Sequence, residues 1–338
     1  MIHEPPRKDL ATILAVSVAV AFLALYAIGR RWTDAGYRPS VVDTIDLWAY
    51  HRSDVYAARR DHVVLLGTSL MQFGFSLDAF HEAHPDRRIT QLAIHAQYPM
   101  ASLRDLARDP DFEGIAVVDV HESSIPRETW DQQQEFVDYY RERYPAYHEL
   151  ECPLVAALQE RFVVLNHHYP LDNVLARLAR GEPAPPPYFM TMRADRACLA
   201  DYSDVPADLR YRVSENQRAR TAKDALSPDE WLADAASIDE WVCDIHERGG
   251  RVVFVRFPAD GPIAEADERV YPRSDYWGRL GERVSAALID GRDVPGMCGY
   301  RLPDFLHLDH RDARPFTRAL LAELARKGVL PPPRTSRR

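Results

Sequence analysis

The chain has 338 residues, 46% hydrophobic and 28% charged, a composition that excludes a disordered or low-complexity protein. Its formal charge of −9, with no arginine–lysine stripe interleaved with aromatics, argues against nucleic acid as a partner. Four widely spaced cysteines (Cys152, Cys198, Cys243, Cys298) form no CxxC pair and no HExxH helix is present, so neither a metal centre nor a cofactor is expected. The even count leaves two disulfides or four buried thiols open.

In chain order, residues 1–9 form a short tail. Leu10–Gly29 is an uncharged apolar run of 20 residues, long enough as a helix to cross the ~30 Å core of a bilayer. It lacks the polar positions of a core helix and has only a poor small-x-small cleavage site, so an uncleaved anchor is expected. Arg7 and Lys8 precede it and Arg30 and Arg31 follow, so flanking charge does not set the orientation. A short tail followed by a large domain suggests tail inside and domain outside, so a periplasmic or extracellular domain is expected.

Residues 30–60 read as a partly helical connector and 61–330 as one α/β domain. His62 to Leu66 is a continuous apolar run of the kind buried on both faces in parallel sheets. A helix over 75–84 with Ser76 as its cap, a strand over 89–94, a helix over 99–107 and a strand over 115–120 follow. This alternation implies a doubly wound parallel sheet. Residues 126–226 break the rhythm and read as a helical insertion without a buried strand; Gly181 to Pro187 is a loop. Ser227-Pro228-Asp229-Glu230 is a capping-box start for a helix ending at Gly249-Gly250. A strand over 251–257 and helices over 276–289 and 311–327 complete the domain. The basic, proline-rich residues 331–338 are expected to be disordered.

Ligands of open α/β sheets bind at the carboxyl ends of the strands. Gly67-Thr68-Ser69 lies at such an end, where a serine hydroxyl reaches the crevice and neighbouring N–H groups face an oxyanion. The bland alternative is a serine that caps a turn. Near the other end of the chain, Asp304 precedes His307 by three residues. In a tight turn that spacing lets the carboxylate reach Nδ1 and leaves Nε2 free to take the serine proton. Asp309 and His310 form a rival pair.

Together these features resemble the SGNH, or GDSL-like, hydrolase superfamily, which places its nucleophile after the first strand and its D-x-x-H before the C-terminal helix. The stretches Leu65 to Phe75, Gln91 to Ile94 with Pro99, and Leu302 to Asp309 look like its membrane-anchored bacterial members. The resemblance covers about residues 61–120 and 251–327. It implies a flavodoxin-like three-layer α/β sandwich with a Ser69–His307–Asp304 triad. It also implies an acyl ester as substrate, as a small molecule or a cell-envelope glycan. Two departures stand out: Ile94-His95-Ala96-Gln97 lacks the family's oxyanion-hole glycine, and Asp119-Val120-His121-Glu122 lacks its asparagine. The remaining donors are the N–H groups of Ser69 and Ala96, or alternatively His121.

His95 and His121 follow the second and third strands and are candidates for substrate contacts, though loop histidines bonded to backbone are the commoner case. Arg256 ends the fourth strand and is a candidate for an acidic substrate group, equally readable as a structural ion pair. His167 and His168 read as surface residues. Trp130, Tyr139, Tyr140, Tyr144 and Tyr147 form an aromatic cluster, read as core rather than a sugar-stacking platform. The expected activity is that of a membrane-anchored serine esterase or O-acyltransferase. The alternative is a catalytically silent binding or assembly module of the same fold. The sequence leaves the oligomeric state open.

Overall fold

The computed structural model describes residues 7–206 and 225–333. Residues 1–6, residues 334–338 of the expected disordered tail, and residues 207–224 of the expected insertion lie outside the described residues. The chain divides into two compact units, Met1–Val42 with Pro153–Ala194, and Asp43–Cys152 with Asp195–Arg338.

The chain opens with α1 (Arg7–Asp34) and α2 (Ile45–Ser53). Strand β1 (His62–Leu66) leads into α3 (Ser69–Gly74) and α4 (Leu77–Ala83), where Ser76 caps through the Ala79 N–H as expected. Then come β2 (Arg88–Gln91), α5 (Met100–Arg108) and β3 (Ile115–Asp119). The next stretch holds α6 (Gln134–Asp138), α7 (His148–Arg161), α8 (Leu171–Ala179) and two three-residue strands, β4 (Met190–Met192) and β5 (Cys198–Ala200). Last are α9 (Pro228–Glu247), β6 (Arg251–Arg256), α10 (Gly261–Val270), the short α11 (Trp277–Leu280), β7 (Ala287–Asp290) and α12 (His310–Arg326).

In the first unit, α1 contains a span over Leu10–Asp34 that is long and apolar enough to cross a membrane, none of whose apolar window is buried. The chain beyond it is tied to the 153–194 segment. A Cβ on Gly29 would sit 3.8 Å from Val163, the Tyr37 hydroxyl donates to the Pro185 carbonyl, and Asn166 Nδ2 donates to the Arg38 carbonyl.

The second unit is built on a five-stranded, all-parallel sheet in the order β2-β1-β3-β6-β7. Every residue of β1 and β3 is buried, including the polar His62 and Asp119 at their ends, as the apolar runs 63–66 and 115–118 lead one to expect. Side chains alternate between two apolar clusters. Val64, Leu66, Val118 and Phe254 join Trp48, Leu103 and Trp231 from α2, α5 and α9. Val63, Leu65, Val117 and Val253 join Phe80 and Phe316 from α4 and α12. Each such aliphatic side chain taken out of water contributes roughly 1.5–3 kcal/mol. Trp48 and Arg52 of α2 are also fully buried, so residues from Asp43 onward belong to this unit rather than to a bare connector.

The sheet corrects one expectation. Residues 276–289 are not one helix: the helix stops at Leu280 and 287–290 form the fifth strand. Gly278 and Gly281 weaken the helix, and Ala287-Leu288-Ile289 is too short a run to reveal an edge strand by periodicity. The short strands β4 and β5 also qualify the helical insertion.

Candidate functional site

Three carboxyl-end segments of the sheet, after β1, β2 and β3, meet the loop that precedes α12. Ser69 opens α3 directly after β1. Gly67 is required there by space: a Cβ would lie 2.6 Å from Asp119 Cβ and 2.8 Å from Met71 Cβ. Thr68 caps α3 by accepting from the Leu70 N–H. Its own N–H and hydroxyl donate to Asp119 Oδ2 at 3.1 and 2.7 Å, fixing the turn to the end of β3. Burial pushes the Asp119 carboxyl above its ordinary pKa, against these bonds.

Ser69 Oγ lies 2.8 Å from His307 Nε2, and His307 Nδ1 lies 2.8 Å from Asp304 Oδ2. All three side chains are buried. The turn that brings acid and histidine together is closed by Asp304 Oδ1, which accepts the N–H groups of Leu306 and His307 at 3.1 and 2.8 Å. Phe305 within it has φ 69°, a left-handed conformation that costs a non-glycine residue about 1–2 kcal/mol. Burial works against charge on Asp304, but the His307 ring and the two N–H groups outweigh it and hold its pKa below the usual carboxylate range. Asp309, of the rival pair, lies 3.3 Å from His310 Nδ1 but has further partners. It caps α12 and binds Arg311 Nε at 2.6 Å.

Tyr202, which nothing in the sequence singled out, donates its hydroxyl to Asp304 Oδ2 at 3.0 Å, and its N–H to Asp309 Oδ2 at 3.0 Å. Burial, then the neighbouring Asp304 carboxylate, push the phenol far above its ordinary pKa, so it remains a donor. Arg196 was equally hidden. Fully buried, it pairs with Asp43 at 2.7 Å and donates to the Gln91 and Ala93 carbonyls at 2.6 and 3.0 Å. Gln72 Nε2 also donates to the Ala93 carbonyl, so this network pins the exit of β2. Isolated polar residues carry no periodicity, so only tertiary contacts reveal such partners.

That exit leads to His95 and Ala96. Ala96 has φ 59°, the left-handed region that glycine occupies freely, so the turn keeps a glycine-like backbone despite the Cβ. Neither the Ser69 nor the Ala96 N–H has an acceptor among the described residues. His95 lies in a row with Phe73 and His307, at ring distances of 5.7 Å from Phe73, which is itself 5.0 Å from His307. Burial, then proximity to His307, lower the His95 pKa and keep its ring neutral at pH 7.

His121 and Arg256 come together, but in a buried charge cluster with Glu122 and Asp267. Arg256 Nε donates to Glu122 Oε1 at 2.7 Å, and His121 Nε2 lies 3.2 Å from Asp267 Oδ2. Burial disfavours the charged His121 ring, yet Asp267 and Glu122 raise its pKa overall. Trp130 is buried against Trp241 at 4.8 Å, and Tyr139, Tyr140 and Tyr144 pack on the core, whereas Tyr147 is exposed. His167 is exposed and His168 half-buried. All four cysteines are free thiols, Cys152 and Cys198 buried, Cys243 and Cys298 exposed.

Among the described residues, the one group with the spacing of metal ligands is Asp201, Asp309 and His310, exposed, buried and half-buried in turn. Arg311 already pairs with Asp309 there.

No protein-family model matches the chain, and no curated protein matches it either.

Proposed function

We propose that the chain is a membrane-anchored serine esterase or O-acyltransferase of the SGNH type. The observation that carries this reading is the continuous relay Ser69 Oγ–His307 Nε2–Asp304 Oδ2, with both links at 2.8 Å. A turn-capping serine has no need of a buried histidine and acid behind it. The strand order, with two faces covered by helices, supports a doubly wound, flavodoxin-like sandwich.

In the proposed reaction, His307 Nε2 takes the Ser69 proton as Oγ attacks the acyl carbonyl. The negative charge passes to the carbonyl oxygen, which the Ser69 and Ala96 N–H groups receive. The tetrahedral intermediate collapses to an acyl-serine, and His307 returns the proton to the departing alkoxide. Water or a second hydroxyl then reverses these steps on the acyl-serine. Asp304, braced by Tyr202, holds the His307 tautomer and supports the imidazolium. The acyl ester of a cell-envelope glycan is the substrate that the sequence resemblance favours. The apolar span of α1 supports anchoring; a sheet domain on the periplasmic or extracellular side is part of the proposal and rests on the sequence reading alone.

The test is labelling of the full chain by a serine-reactive fluorophosphonate, beside a Ser69→Ala control. Labelling of the native chain that vanishes in the control is expected. Label retained in Ser69→Ala refutes the assignment of Ser69, and no label in either favours the silent binding module.

A further inference from the structure

We infer that the 153–194 segment lies on the surface of the bilayer, its exposed leucine face dipped into the lipid interface beside the anchor. The inference rests on reading α1 as a membrane span. Outside α1, the strongly exposed large hydrophobics of the described residues fall between 147 and 178, with Leu199 the one exception. Within the unit that contains α1 they are Leu154, Val155 and Leu158 of α7, Leu165, and Leu175 and Leu178 of α8, each at least 41% exposed. Single exposed leucines are unremarkable on a soluble surface; six strongly exposed aliphatic side chains within some 25 residues of sequence are not.

Helix α8 has the pattern of an interfacial helix, whereas in α7 the exposed Glu151 and Arg161 flank the leucine pair. Leu154 and Leu158 are one turn apart, as are Leu175 and Leu178, so each pair points the same way. At 100° per residue, Asn173, Arg177 and Arg180 fall on the side of α8 away from Leu175 and Leu178. A polar face opposite an aliphatic one, here with Arg177 and the C-capping Arg180 both paired to Glu182, suits a helix lying in a headgroup layer.

The occupant is set by what the segment is attached to. Gly29, near the end of the apolar span, packs on Val163, and the hydrogen bonds from Tyr37 to Pro185 and from Asn166 to Arg38 hold the segment to the chain leaving α1. Trp32 and Tyr37, 5.8 Å apart at that end, are aromatic residues of the type that sits at headgroup level. A face tied within a few residues of the point where the chain leaves the bilayer meets lipid before it meets anything else.

The test uses the full chain with the exposed thiols removed (Cys243→Ser, Cys298→Ser) and this parent as labelling background. Single cysteines at Leu158, Leu178, Asn173 and Leu14 are labelled with an environment-sensitive fluorophore. The protein is reconstituted in phosphatidylcholine–phosphatidylglycerol vesicles, with and without shallow spin-labelled lipids. The labels from Leu158→Cys and Leu178→Cys are expected to brighten several-fold and be quenched by the spin-labelled lipid, with the label from Asn173→Cys unchanged. Quenching at Leu14→Cys but none at Leu158→Cys and Leu178→Cys overturns the inference and leaves the anchor standing. Brightening of those labels without lipid quenching means protein covers the face, and also overturns it. Failure of the protein to float with the vesicles removes the anchor and the inference together.

Discussion

The substitution Asp304→Asn isolates the part of the site on which the proposed chemistry depends. The carboxylate accepts four hydrogen bonds, two at each oxygen: Leu306 and His307 N–H at Oδ1, His307 Nδ1 and the Tyr202 hydroxyl at Oδ2. Asparagine has the same shape but one accepting oxygen and an NH2 group, so one pair of donors must face a donor. If the amide oxygen keeps the two backbone N–H groups, the NH2 faces His307 and Tyr202. The phenol can rotate away, but His307 must present a bare Nδ1, which moves its proton to Nε2. There it blocks acceptance of the Ser69 proton. A triad trapped in the wrong tautomer loses about 10⁴ in rate, or roughly 5 kcal/mol of transition-state stabilisation. In the opposite orientation the turn around Phe305 loses its closure instead, at about 1.5–3 kcal/mol of fold stability per charged bond. The assay is the rate of fluorophosphonate labelling, read beside urea denaturation and near-UV circular dichroism. Asp304→Asn that keeps native packing and labels within tenfold of the native chain would refute the reasoning, because His307 would then not need its acid. Tyr202→Phe removes one of the four bonds without reversing a donor, and its labelling rate should fall by tenfold or less.

Gly67→Ala should destabilise the fold by about 2 kcal/mol in urea and slow labelling. The new methyl must displace Asp119 or Met71, and with them the Thr68 turn; unchanged stability would show that the turn yields freely. Arg52→Met should cost about 3 kcal/mol by chemical denaturation. It leaves the Asp105 and Asp109 carboxylates, now 2.7 Å from the buried guanidinium, with Arg141 as the remaining cation, while Asp109 also keeps the Tyr56 hydroxyl; a loss under 1 kcal/mol would mean that these partners suffice. His62, buried at the start of β1, has its pKa lowered by burial from 6.5 to about 4. The unfolded chain therefore takes up a proton that the native chain refuses, and native stability falls as pH drops from 6.5 towards 4. The difference in unfolding free energy between the native chain and His62→Gln should change by about 3 kcal/mol across that window, to the disadvantage of the native chain. A difference independent of pH would show that His62 titrates alike in both states.

What the sequence by itself determined were the features written in local chemistry. The runs at 63–66 and 115–118 have no polar positions and are short and rich in β-branched residues, which marks strands covered on both sides. Ser227, Pro228 and Glu230 fixed the start of α9, and Ser76 that of α4, because caps satisfy neighbouring N–H groups. Asp304 and His307, three residues apart, were legible as a pair for the same reason: one turn suffices to join them. The tertiary structure alone decided what is joined across the chain. It brought Ser69 to His307 over 238 residues of separation and chose that histidine over His310. It also supplied the partners Asp119, Tyr202 and Arg196, and turned 287–290 into an edge strand. A single polar side chain has no pattern around it, and an edge strand of four residues has too little. Ala96 shows the division most clearly: the sequence flagged a missing glycine, and only the fold shows that the backbone adopts glycine's conformation anyway, because the surrounding turn is fixed at Ala93 by Arg196 and Gln72.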